Sequence, residues 1–198
     1  MKILRTEFLI KKGELAEAPE IQEFFLELQE AIFSVRNPKG SQDFCINPER
    51  QGNGVKPIKI SCMKYLKKEG WKLEHKLSLT AREKPGPIDA IKNLTNGKIF
   101  AVEWETGNIS SSHRALNKMS IGLLEGKIIG GVLILPSRAF YRFLTDRVGN
   151  FAEIEPYFPM WRSLPVENGI LAVIEIEHDR ISKSVRRIKK GTDGRALV

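Results

Sequence analysis

Three carboxylates could do chemistry together here: Asp89, in the string Gly86-Pro87-Ile88-Asp89, and the pair in Val102-Glu103-Trp104-Glu105. Residues two apart on a strand point to one side, so Glu103 and Glu105 share a face. Whether Asp89 joins them depends on the turn between the two segments. A two-residue loop at Asn96-Gly97 would pair Asp89 with Trp104 and send it to the other face. A three-residue loop, Thr95-Asn96-Gly97, with Gly97 in the left-handed bulge position, pairs Asp89 with Glu103 and gathers all three acids. The second register is the expectation adopted. Crowded carboxylates raise one another's pKa unless a cation is present. Hard divalent ions such as Mg²⁺ take oxygen ligands and are shared with phosphate groups, where they activate water and neutralise developing charge. A solvent-facing acidic strand whose glutamates pair with lysines fits the same spacing, so spacing alone leaves both readings open.

Other chemistries have little to stand on. The three histidines, His75, His113 and His178, show neither HExxH nor HxxxH spacing, and there is no P-loop, GxGxxG fingerprint or GxSxG elbow. His75 falls on the apolar phase of its segment and reads as a core histidine. Cys45 and Cys62 lack CxxC spacing and need not pair, which fits a reducing cytoplasm. No apolar run approaches the ~20 residues needed to cross a bilayer, and the amino terminus carries Arg5 and Glu7 inside its apolar stretch, unlike a signal peptide.

The length of 198 residues suits one domain, and 41% hydrophobic residues suffice for an ordinary core. The net charge of +8 is concentrated: residues 179–198 hold seven basic and two acidic residues, and residues 56–84 hold nine and three. Concentrated basicity fits a polyanion partner, most often nucleic acid, as well as a solvated surface with a frayed tail.

The elements that must position these groups follow from periodicity. Residues 2–10 read as a strand. Pro19 opens a helix in which Ile21, Phe24, Phe25, Leu28, Ile32 and Val35 recur at helical spacing. Residues 36–57, rich in Gly, Pro, Asn and Gln, read as a long loop. A helix over 58–69 stops at Gly70, and alternation from Trp71 to Leu79 predicts a half-buried strand. Strands near 87–92 and 99–105 form the carboxylate hairpin. A helix from Ser111 or Ser112 ends at Gly126, and the uniformly apolar 127–135 reads as a central strand. A helix from Ser137 to about Val148, an irregular aromatic stretch and a strand at 170–177 complete the chain. From residue 58 the order is α-β-β-β-α-β, the outline of a metal-dependent nuclease core, though many α/β domains share it.

Past Glu105 the chain runs Thr106-Gly107-Asn108-Ile109-Ser110-Ser111-Ser112-His113-Arg114, then Asn117-Lys118. Later come Leu144-Thr-Asp-Arg-Val148, Asn150-Phe151, Glu155-Pro-Tyr-Phe158 and Lys190-Gly-Thr-Asp-Gly194, preceded by Asn53-Gly-Val and Pro57-Ile-Lys59. Together with GPID, these strings resemble the BamHI family of type II restriction endonucleases over roughly residues 40–195. The resemblance implies an α/β restriction-endonuclease-like core of the PD-(D/E)xK superfamily, with a central mixed sheet flanked by helices. It also implies a homodimeric, Mg²⁺-dependent phosphodiester hydrolase that cuts double-stranded DNA at a palindrome, 5′-GGATCC-3′ in the family's namesake, as part of a restriction-modification system.

Residue by residue, Asp89 and Glu103 match the family's metal-binding acids. Glu105 matches the residue that replaces the superfamily's usual lysine, as general base or water orienter. Glu74 matches a further acid, with altered spacing. Arg114 and Arg147 match guanine readers, and a bidentate guanidinium suits the O6 and N7 acceptors of G. Asp146 matches an acceptor for cytosine amino groups, and Asn108 and Ser110 match contacts to the inner A·T pairs. Lys59 is expected at a phosphate. Residues 189–195, including Gly194, resemble an arm that reaches the minor groove. Residues 111–125 and the stretch near Tyr157 correspond to dimer-forming regions. Two other readings share the same core: a sequence-specific DNA-binding protein without catalysis, and a structure-selective repair nuclease.

Overall fold

The computed structural model describes residues 1–78, 86–145 and 147–190. Two basic residues of the 56–84 cluster, Arg82 and Lys84, and the expected end of a strand at Leu79 lie outside them, as do Asp146 and Gly194.

Eight strands and six helices are present among the described residues: β1 (Lys2–Lys12), α1 (Pro19–Phe33), β2 (Cys45–Ile46), α2 (Lys56–Lys68), β3 (Lys72–His75), β4 (Ile88–Asn93), β5 (Ile99–Trp104), α3 (Ile109–Leu124), β6 (Ile128–Pro136), α4 (Arg138–Tyr141), α5 (Phe151–Ile154), α6 (Phe158–Arg162), β7 (Gly169–Glu177) and β8 (Arg180–Ile181). Six strands make one mixed sheet in the order β1-β7-β6-β5-β4-β3. The central β5-β6-β7 run is parallel, and the flanking pairs are antiparallel. Every residue of β6 and β7 is buried, because a strand covered by helices on both faces has no solvated side.

One core packs α1 and α2 against the sheet through Phe24, Leu28, Ile58, Leu66, Phe100 and Val132. The other packs α3 and the short helices against it through Leu116, Met119, Leu133, Phe151 and Trp161. Both cysteines are free and buried. No helix among the described residues is long and apolar enough to cross a membrane.

Three elements differ from the sequence expectation. The helix expected from Ser137 to Val148 is the single turn α4, capped by the Ser137 side chain. Beyond it the carbonyls of Arg142 and Phe143 accept from the amides of Gln51 and Asn53 (2.8 and 2.9 Å), so they are diverted from a helix to another segment. The strand expected from Trp71 is defined only over β3. Helix α3 begins earlier than expected, at Ile109, because the Asn108 side chain caps it by accepting from the Ser111 amide. The carboxyl-terminal residues up to Lys190 are anchored, not frayed: β8 pairs with β2, and further bonds tie residues 182–190 to the 46–54 loop.

Candidate active site

Local turn chemistry fixes the hairpin. Leu94 and Lys98 close the loop by a 2.8 Å backbone bond, leaving Thr95, Asn96 and Gly97 between them. Gly97 has φ +78°, the left-handed conformation that glycine reaches without steric cost. The register that follows pairs Ala90 with Val102 and Ile91 with Ala101, and its continuation sets Asp89 opposite Glu103. This is the three-residue-loop register that the sequence predicts.

At this end of the hairpin the backbone ladder gives way to side chains. The Trp104 amide donates to Asp89 Oδ2 (2.7 Å), and the Asp89 amide donates to Glu103 Oε2 at 3.4 Å. Each carboxylate thus keeps one oxygen engaged by the neighbouring strand's backbone and turns the other outward. Asp89 Oδ1 is met by the Lys59 ammonium from α2, and Glu103 Oε1 by the Lys118 ammonium from α3. Lys118 also donates to the carbonyls of Gly86 and Pro87, both at 3.2 Å. Glu105, just past β5, is held by the Gly107 amide and by Ser112 Oγ (2.8 Å). Gly107 is required by close approach: a Cβ there would lie 2.8 Å from Ser111 Oγ and 3.2 Å from Glu105 Oε1.

All three acids are buried and line one open cleft of about 660 Å³, together with Lys59, Lys118 and Arg114. Burial and the Asp89 charge push the Glu103 carboxyl up to about 7, with Lys118 pulling the other way. Burial likewise raises Glu105, opposed by its bonds from Gly107 and Ser112. Among the described residues no three acidic, His or Cys side chains come together as a set of metal ligands. Asp89 and Glu103 are the adjoining pair, and Glu105 is turned to its own donors.

The comparison with protein families decides the class: the sequence model described as restriction endonuclease BamHI matches residues 1–195. The chain belongs to the BamHI restriction endonuclease family. Its membership is reinforced by two relatives. The type II restriction enzyme OkrAI of Oceanobacter kriegii is 57% identical over 197 residues, with both chains covered completely. The type II restriction enzyme BamHI of Bacillus amyloliquefaciens is 37% identical over 181 residues, covering 88% of this chain and 83% of that enzyme. A BamHI-family chain is thereby a nuclease that hydrolyses DNA. The fold agrees with a solved structure, the restriction endonuclease BglII complexed with a DNA 16-mer: TM-score 0.63, 12% identity, 95% of this chain and 88% of that chain covered.

Against this family frame the remaining expected residues fall in three groups. Arg114 lines the cleft and donates to Ser111 Oγ (2.8 Å), while Asn108 and Ser110 are exposed at the mouth of α3. Arg147 is exposed with φ +68°, a left-handed non-glycine residue of the kind found at functional turns. Glu74 stands opposite Asp89 in the β3–β4 register, but its φ of +51° breaks the strand pleat there; it is exposed and outside the cleft lining. His75 is half-buried. Sequence reasoning assigns no role to Lys118, which lines the cleft, or to Ser112, which is buried outside that lining and donates to Glu105. The signal was available for Lys118: positions 111, 114 and 118 share one face of a helix that begins at residue 109.

Proposed function

We propose that this chain is a Mg²⁺-dependent type II restriction endonuclease that acts as a homodimer in the cytoplasm. It cuts both strands of 5′-GGATCC-3′ as the nuclease of a restriction-modification system. In this reading its 198 residues work as one endonuclease domain, with residues 179–198 as a basic arm. The observation that carries the proposal is the hairpin register, which brings Asp89 and Glu103 together in a cleft lined also by Arg114.

The donor set fits a hard divalent ion. Asp89 and Glu103 offer only oxygen, and the outward oxygen of each already holds a cationic group, the ammonium of Lys59 or Lys118, whose place a metal ion would take. Two carboxylates suffice, because Mg²⁺ commonly binds one or two and completes its shell with water and phosphate. These two residues would hold the ion, which when bound supplies charge neutralisation at phosphate and a more acidic water. Glu105, fixed from two sides and with its carboxyl raised by burial, is a better proton acceptor than an exposed glutamate and serves to orient or deprotonate the attacking water. Lys59 and Lys118 are placed to exchange their carboxylate partners for phosphate oxygens as DNA enters.

For specificity, Arg114 and Arg147, with Asp146, read the G·C pairs, and Asn108 and Ser110 read the central A·T pairs. The exposed Tyr157 and Met160, beside the His113 ring that packs on Tyr157 and Trp161, supply an apolar surface for the second subunit. Twofold symmetry then matches the palindrome.

The test is digestion of plasmid DNA of known sequence with Mg²⁺, followed by sequencing of fragment ends. Discrete fragments ending in one six-base site support the proposal. A smear removes the specificity assignment, and intact DNA with Mg²⁺ removes the metal assignment.

A further inference from the structure

Asn53 is fully buried, lies outside the cleft lining, and uses every hydrogen-bonding group it has. Its side-chain amide donates to the carbonyls of Asn47 (3.0 Å) and Phe143 (2.8 Å), and its side-chain oxygen accepts from the Ile188 amide (3.1 Å). Its backbone amide donates to Phe143, and its carbonyl accepts from Thr145 Oγ1 (3.0 Å). The bonds around it continue the pattern. Gln51 donates to Arg142 (2.8 Å), Gly54 donates to Ile188 (2.9 Å), and Lys190 reaches the Gln51 carbonyl (2.8 Å). Residues 51–54 are therefore a narrow strip bonded on one side to residues 142–145 and on the other to residues 188–190.

The position of the strip gives it a role. Residue 145 stands two positions before Arg147 in the chain, and residues 188–190 lie where the 189–195 segment likened above to a minor-groove arm begins. We infer that Asn53 is a positioning residue, which holds the base-reading turn and the root of the arm as one unit and so sharpens reading of the G·C pairs. This inference rests on the base-reading role proposed above for Arg147. The physical reason is that a bidentate guanidinium contact tolerates little displacement, while the turn that carries Arg147 is not part of any long helix or strand. A buried asparagine with all its bonds made is a rigid joint, and removing one partner leaves buried groups unsatisfied on both flanks.

The experiment uses the full-length protein with three variants. Asn53→Asp keeps size and the acceptor for Ile188 but sets an oxygen against two carbonyls. Thr145→Val removes one bond and is the milder change should Asn53→Asp fold poorly. Arg147→Ala is run in parallel as a check on the base-reading assignment. Cleavage rates are measured on the six-base site and on sites altered at one position each. Hydrogen exchange is followed in peptides covering 142–145 and 186–190.

In Asn53→Asp and Thr145→Val, discrimination against sites altered at one or both G·C positions falls by about tenfold, while discrimination at the central A·T pairs holds. In Asn53→Asp, exchange accelerates in both peptides together. An equal loss at all positions, or no loss, would show a residue that only supports the fold and overturns the inference, as does faster exchange on one flank alone. If Arg147→Ala keeps full discrimination, it is the base-reading assignment that fails, and the joint is then judged by exchange in the two flanks.

Discussion

Two groups of carboxylates in this chain, one buried in the cleft and one buried or half-buried where β7 ends, face opposite ways electrostatically. In the cleft, burial wins: Glu103 is pushed up to about 7 and Glu105 is raised. Where β7 ends, the partners win. Burial pushes the Glu177 carboxyl up, but His178 and Ser137 Oγ (2.5 Å) more than offset it and hold it below the usual range. Burial likewise acts upward on Asp179, and the Met1 ammonium (2.6 Å) and the Phe44 amide (2.7 Å) more than reverse it. The difference separates acids whose charge the fold meets from acids whose charge it leaves partly unmet. Glu177 and Asp179 have their charge met by the protein, whereas Glu103 stays under-compensated even with Lys118 beside it, and Glu105 even with its bonds from Gly107 and Ser112.

That contrast can be broken or sharpened by substitution. The largest effect is expected at Glu103→Gln: in the metal-binding role proposed for Glu103, cleavage falls by about a thousandfold, a barrier increase of several kcal/mol. Thermal denaturation of the same variant shows little loss of stability, because the amide oxygen still accepts from Lys118 while the burial cost of the charged carboxylate is removed. If Glu103→Gln lowers stability as much as Asp179→Asn does while cleavage is kept, the two groups are not different in kind.

The complementary change is Asp179→Asn, expected to lower stability by about 1–3 kcal/mol in urea denaturation, with cleavage of folded enzyme unchanged. Next is Ser112→Ala, which removes one of the donors fixing Glu105. Single-turnover cleavage should slow by about tenfold with DNA binding unaltered, as measured in Ca²⁺ buffer. The smallest effect is in pH dependence. Because the Asp179 carboxyl is held below its unfolded value, its contribution is fully present above an unfolded pKa of about 3.9 and is lost as pH falls through the folded value. The stability gap between Asp179→Asn and the parent chain, followed by urea titration, should therefore close in acid and remain constant from pH 5 to pH 7, a window of about two units above that pKa.

How much of this was legible beforehand varies with the range of the forces involved. The hairpin register was readable because Gly97 fixes it within five residues, and α1 because Pro19 and its apolar spacing are local signals. The single turn of α4 was not readable, since Arg142 and Phe143 lose their helical role to residues some ninety positions earlier in the chain. The same distance hides Asn53, whose importance lies entirely in partners brought to it by the fold. In the site, residue types and spacing pointed to Asp89, Glu103 and Glu105. The lysines that meet two of them depend on where α2 and α3 dock. Glu74 shows the opposite case: it sits in the expected register position, but the left-handed backbone there turns its side chain to solvent.

The sheet's two rims have a consequence for solubility. β1 is a rim strand of eleven residues, long enough to invite another strand, yet its pairing with β7 slips at two places and it carries Lys2, Arg5, Lys11 and Lys12. The opposite rim, β3, is only four residues long and is disrupted at Glu74. Irregular, positively charged or very short borders make poor templates for sheet extension. Copies of this chain crowded together are thus discouraged from zipping edge to edge into fibres, and contacts between them are left to helical faces.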